Sequence, residues 1–225
     1  MQRIVTSTLR ALLAPALVAL AGAAGCASAA RTAETPVVTP AAAENSAADQ
    51  RILGPAEASV MIIEFTDLQC PYCARFARDT WPLLRERYVD TGKVRFATRD
   101  LPLPLHEFAL PAAVAARCAG QQGKFWEYRE ALFRDQSLLS QGRYAELAGG
   151  FGLDSARFES CRADPAVLAA VRADAALAAS SGITSTPSFV IGRVVNGEFE
   201  GEVLSGAKTF EVFQQRLDSL LQQPQ

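Results

Sequence analysis

Two cysteines three positions apart, in Cys70-Pro71-Tyr72-Cys73, are the residues of this 225-residue chain best placed to do chemistry. They follow a nearly continuous apolar run, Val60-Met61-Ile62-Ile63-Glu64-Phe65, which reads as a strand buried on both faces, and they open a segment of helical periodicity. A cysteine at a helix N-terminus meets unpaired amides and a partial positive charge, which favour the reactive thiolate. Cys70 is therefore the expected nucleophile. Cys73, one turn further in, is the expected resolving thiol of a dithiol–disulfide couple. Pro71 stands at a first-turn position where its missing amide costs nothing. A Cys-X-X-Cys can also be half of a structural zinc site, but that needs two more ligands. The single histidine, His106, and the separated Cys118 and Cys161 do not make a second close pair, so neither a metal nor another cofactor is expected.

Glu64 lies six residues before Cys70 within the apolar strand. An ionised carboxylate there is costly to bury, so its pKa should rise and make it a candidate to exchange protons with Cys73. A structural partner or exposure to solvent would explain it equally well. His106 follows Pro102 and Pro104 and precedes a helix, where capping or packing is the expected role. Phe125, Trp126 and Phe133 read as core.

These residues must be positioned by a recognisable order of elements. After the cysteine pair, Phe76, Leu84 and Tyr88 recur at multiples of four with Ala77 and Trp81 beside them, and Pro82 should kink that helix by crowding the carbonyl of Arg78. Val94-Arg95-Phe96-Ala97-Thr98 alternates and reads as a second strand. From Glu107 to about Ser181 the signals are helical, including Ala109 to Ala119, Phe125 to Phe133, a segment opening near Asp154, and one at Asp164-Pro165 with a capping Asp and a first-turn Pro. Ser188-Phe189-Val190-Ile191 reads as a strand, Asn196-Gly197 as a turn and Glu202-Val203-Leu204 as the partner strand. A last helix carries Phe210, Phe213, Leu217 and Leu220 on one stripe.

The N-terminus has a different texture. Arg3 and Arg10 precede an uncharged stretch from Ala11 to Ala30, with Leu12, Leu13, Leu17, Val18 and Leu20 as its apolar centre, and Ala23, Ala24 and Gly25 lead into Cys26. This is the pattern of an export signal, residues 1–25. The small residues before a cysteine resemble a bacterial lipoprotein signal, in which Cys26 would carry the lipid, although such signals usually have Leu where Ala23 stands. Cleavage nearby without lipid, or an uncleaved anchor, would also place the rest outside the cytoplasm. Residues 26–50 are poor in large apolar side chains and read as a disordered tether. Residues 51–222 then form one domain. With a net charge of −2 and a pI near 5.6, nothing favours nucleic acid as a partner.

The segment Val60 to Cys73, the helix after it, His106 through Phe133, and Thr186-Pro187-Ser188-Phe189 together resemble the DsbA-like bacterial thiol-disulfide oxidoreductases. The resemblance implies an α/β thioredoxin fold with an inserted helical domain at about residues 105–180. It implies a catalytic couple at Cys70 and Cys73 and a buried acid at Glu64. It also implies a cis-proline at Pro187 lying against the cysteine loop, with Thr186 offering backbone groups to an extended substrate. Pro71, Tyr72, Thr186 and Pro187 are then the candidate substrate contacts. One position departs from the family: strongly oxidising members have His where this chain has Tyr72, and Pro-Tyr also occurs in glutaredoxins. Outside the cytoplasm, Cys118 and Cys161 form an even pair that suggests a structural disulfide, with two separate buried thiols as the alternative.

The expected activity is that of a monomeric oxidase that passes a disulfide to exported proteins with free thiols and is reoxidised by a membrane partner. A disulfide isomerase or reductase is the second enzymatic reading. A non-catalytic chaperone that binds polypeptide is the reading from another class, and it predicts that replacing Cys70 leaves function intact.

Overall fold

The computed structural model describes residues 49–223. The export signal, Cys26 and nearly all of the expected tether lie outside the described residues. Asp49 already belongs to the folded domain, because its carboxylate holds the Arg51 guanidinium at 2.9 Å.

Five strands make one sheet: β1 (Ile52–Leu53), β2 (Val60–Thr66), β3 (Val94–Asp100), β4 (Ser188–Val195) and β5 (Glu198–Ser205), in the order β1-β3-β2-β4-β5. β2 and β3 are parallel, and β1, β4 and β5 join antiparallel to their neighbours. Between β2 and β3 run α1 (Pro71–Asp79), α2 (Trp81–Leu84) and a π-turn at Arg85–Val89. The expected kink falls at Thr80, between α1 and α2, where the Thr80 amide still bonds the Phe76 carbonyl at 3.0 Å and Pro82 sits in the first turn of α2. Six helices separate β3 from β4: α3 (Ala109–Gly120), α4 (Phe125–Arg134), α5 (Ser137–Ser140), α6 (Tyr144–Gly150), α7 (Ser155–Ala163) and α8 (Pro165–Ser180). The Asp154 and Asp164 carboxylates cap α7 and α8 through the amides of Arg157 and Ala166. α9 (Phe210–Leu221) closes the chain.

Side-chain alternation along β2 explains the layers. Val60 and Ile62 face a core shared with Phe76, Trp81, Phe96, Phe189 and Phe213, under α1, α2, α9 and the inserted helices. Met61, Ile63 and Phe65 face the other way, onto Ala97, Ala178, Ile183 and Val190. The far end of α8 thus covers the opposite face of the sheet, so the inserted helices do not stay together in one lobe. For the same reason β3 is buried along its whole length, although its sequence alternates. The Asn196-Gly197 turn has positive φ at both residues, 53° and 84°, the geometry of a tight hairpin turn. β5 has Phe199 and Leu204 buried and Glu198, Glu200 and Glu202 outward.

Sequence periodicity gave no sign of the ion network behind β3. Asp174 of α8 accepts Arg51 at 2.6 Å, Arg117 of α3 at 2.5 Å and the Asp100 amide at 3.0 Å, and Arg117 also reaches Asp100 at 2.5 Å. The network fastens α3, α8, β3 and the start of the domain to one another. Breaking a buried pair from one side leaves the other charge uncompensated. Asp174→Ala is expected to cost about 3 kcal/mol, measured as the urea unfolding midpoint, while the thiol titration of Cys70 stays unchanged.

Candidate active site

β2 ends at Thr66, and Asp67, Leu68 and Gln69 carry the chain to Cys70, which is the N-cap of α1 with Pro71 as its first helical residue. No side-chain oxygen caps this helix. The amides of Tyr72 and Cys73 act on the Cys70 sulfur instead. Both cysteines are free, Cys70 nearly buried at 3 % exposure and Cys73 wholly so.

Their environments push the two thiols apart. The hydrogen bond from Cys73 is the largest influence on Cys70; burial opposes it, Thr186 and the two amides reinforce it, and the result is a pKa of about 5. Burial, and then the adjacent Cys70, hold Cys73 well above the ordinary thiol value. Near neutral pH the pair is one thiolate and one thiol, which is what a nucleophile and a resolving group require. Across from them the Thr186-Pro187 peptide bond is cis, and the Thr186 carbonyl accepts the Cys70 thiol at 3.5 Å. Tyr72 is exposed, with the Arg75 guanidinium 5.1 Å from its ring centre.

Glu64 is completely buried, opposite Thr98 of β3 and Phe189 of β4. It has a structural partner, Arg129 of α4, whose Nη2 donates to Oε2 at 2.6 Å. Arg129 in turn lies against the Trp126 and Phe133 rings, 5.3 and 4.8 Å from their centres. Burial pushes the Glu64 carboxyl up and the Arg129 charge opposes this. Thr66, two residues along the same face, lies beside both Glu64 and the Cys73 thiol. The inward placement of Arg129, though not its partner, was open to discovery in the sequence: with Phe125 and Phe133 it forms an i, i+4, i+8 stripe that has to face inward.

The loop before Cys70 is held by groups that motif reading missed. Asp67, 1 % exposed, accepts the amides of Gln69 (2.7 Å) and Cys70 (3.1 Å) on Oδ1, and the Leu103 amide (2.8 Å) and His106 Nδ1 (2.7 Å) on Oδ2. Gln69 accepts the Phe108 amide at 2.7 Å, and Gln136 donates to the carbonyls of Leu68 and Cys70. His106 therefore does more than cap or pack. Its neighbour Leu105 is the most exposed large apolar residue among those described, at 76 %.

Cys118 on α3 and Cys161 on α7 stand far from this couple in sequence and are joined, with Cα atoms 5.7 Å apart. Phe125, Trp126 and Phe133 are core residues. Among the described residues no cluster of His, Cys, Asp and Glu is arranged to hold a metal ion, and no helix is long and apolar enough to cross a membrane.

The thioredoxin family profile matches residues 46–219. Among solved structures, Pseudomonas aeruginosa DsbA2 is 31% identical with a TM-score of 0.61, over 79% of this chain and 97% of that one. Wolbachia pipientis alpha-DsbA1 is 27% identical with a TM-score of 0.66, over 76% and 90%. A stretch of 158 residues is 36% identical to the Na(+)/H(+) antiporter NhaA 3 of Salinispora tropica, covering 69% of this chain and 24% of that protein. The chain spans about a quarter of the length of the antiporter relatives it matches. With a match that runs from ahead of β1 into α9 and a cysteine couple at the head of α1, the chain belongs to the thioredoxin family and is DsbA-like in architecture.

Proposed function

We propose that this thiol-disulfide oxidoreductase works as an oxidase, passing a disulfide from Cys70-Cys73 to exported proteins. The observation that supports it most is the opposite displacement of the two thiols, Cys70 down to about 5 and Cys73 well up. In the oxidised enzyme a client thiolate attacks the Cys70 sulfur, the Cys70–Cys73 bond breaks, and Cys73 leaves and takes up a proton. Glu64, reached past Thr66, is the candidate donor of that proton. A second client thiolate then attacks its own sulfur in the mixed disulfide and Cys70 departs as thiolate. The client gains a disulfide, and the enzyme is left with one thiolate and one thiol. A leaving thiol of low pKa departs faster, and a stabilised thiolate makes the oxidised form the stronger oxidant.

The client would lie as an extended segment against the Thr186 backbone beside Pro187, with Pro71 and Tyr72 on the other side of Cys70. We place the enzyme outside the cytoplasm as a monomer, reoxidised by a membrane partner, with Cys26 as the lipid attachment point if the N-terminus is processed as a lipoprotein. A compartment that permits stable disulfides suits the Cys118–Cys161 bond. On the chain-entropy view, closing that loop contributes about 4 kcal/mol. Antiport is not carried over from the relatives named for it, since the match covers about a quarter of their length. Tyr72 in place of a histidine favours a second reading, a less oxidising isomerase or reductase.

The reduction potential of the couple, measured in glutathione buffers, separates these readings. An oxidase is expected above about −200 mV, and a value near the −270 mV or so of thioredoxin sinks the oxidase reading in favour of the reductase. A polypeptide-binding chaperone would keep its function in Cys70→Ser, whereas the oxidase loses all disulfide transfer.

Ionisation of Cys70 makes a separate prediction. Thiolate absorbance at 240 nm should rise with a midpoint near pH 5 in the reduced protein and lose that step in Cys70→Ser. Because the folded pKa is depressed, the added stability of the reduced protein is complete above the ordinary thiol pKa of 9.0 and fades as pH falls, vanishing below about 5. Denaturant midpoints of the reduced protein, compared with Cys70→Ser across that window, should converge at the acid end.

A further inference from the structure

Asp67 stands where the two parallel strands finish, and both lines of chain are bound to it. Its Oδ1 fixes the amides of Gln69 and Cys70, and its Oδ2 takes the Leu103 amide and the His106 ring from the segment after β3. The Leu101 amide adds a bond to the Thr66 carbonyl at 2.8 Å. Three of the four donors to the carboxylate are main-chain amides. His106 is the one side chain that completes the set.

We infer that His106 is a positioning residue for the redox couple, acting through Asp67 on the main chain at Cys70. The inference rests on the reading of Cys70 as the nucleophile. A carboxylate only accepts, so His106 must carry its proton on Nδ1 and donate it. With that donor gone, a buried carboxylate three residues before the nucleophile is short of one charge-assisted hydrogen bond, a costly state. It regains a partner by turning toward water or toward other amides, and either movement loosens the Gln69 and Cys70 amides held by its other oxygen. It also leaves more uncompensated negative charge close to Cys70, where a second negative charge has to form. Both effects disfavour the thiolate.

The geometry supplies its own control. The Nδ1 of histidine and the amide nitrogen of asparagine are both two bonds from Cβ, so His106→Asn can offer the same donor without an imidazole. His106→Leu fills similar space and offers none. The experiment is the 240 nm thiolate titration of the reduced full chain, run with disulfide-transfer rates to an unfolded dithiol peptide. In His106→Leu the midpoint is expected to rise by about one pH unit, a tenfold change in the ionisation constant, with transfer slowed; in His106→Asn both should return close to the parent values. If the Leu variant does not fold, His106→Ala takes its place against the same Asn control. A parent step left unmoved by loss of the donor overturns the inference, as does an Asn variant displaced as far as the Leu variant. A parent protein with no step that depends on Cys70 sinks the reading of Cys70 itself, a different result from either.

Discussion

A sulfur that stays ionised beside a protein core needs support from groups that cannot move away. Cys70 obtains it from the open end of α1, where its own main chain begins the helix and the amides of Tyr72 and Cys73 act on its side chain. Everything around the site serves to keep that helix end, the Cys73 thiol and Thr186 in one fixed relation. The sheet provides the base, since α1 starts where a buried strand stops. The segment between β3 and β4 provides the clamps: Gln136 holds the carbonyls of Leu68 and Cys70, the Phe108 amide ties Gln69, and the Leu103 amide and His106 ring hold Asp67. In this fold the insertion belongs to the site as much as the thioredoxin core does.

The same interior carries an unusual amount of charge, and each charge lies at a junction between layers. Glu64 and Arg129 join β2 to α4 through the floor of the site, with aromatic faces on the guanidinium. Asp100 and Asp174 with their arginines join β3 to α3, α8 and the start of the domain. Apolar packing holds layers together without fixing how they are turned, whereas paired charges tolerate little displacement before one is left alone. A redox site assembled from three separate stretches of chain, Asp67 to Cys73, Leu103 to Phe108 and Thr186-Pro187, depends on that orientation.

How legible this was in the sequence varied with the range of the interaction. The couple, its strand and its helix are local, and the pattern Val60 to Cys73 placed them correctly. The capping Asp164 and a helix opening near Asp154 were legible for the same reason. The long-range partners were not. Arg129 and Asp174 are single polar residues within helical segments, and nothing in their neighbourhood says what faces them across the fold. His106 was read as a cap because its short-range context of prolines and a following helix is ordinary, and its partner stands 39 residues away. The two-residue β1 and the short helices α5 and α6 lack enough residues for any period to show. β3 misled in a definite way: an alternating strand suggests one wet face, but here the charged side is covered by α8 and answered by buried acids.

The proposed function requires the protein to accept an extended segment in one place and refuse it in others. An open sheet has two edges at which foreign strands could add. On one side this sheet ends in β1, only two residues long. On the other it ends in β5, where Glu198, Glu200 and Glu202 recur along the outward face and Asn196-Gly197 turns the hairpin sharply. Short length and regular like charge both discourage strand addition. On the proposed function, an extended client is thereby left with the backbone beside Pro187, next to Cys70, and the acidic border discourages polypeptide from adding to the sheet elsewhere.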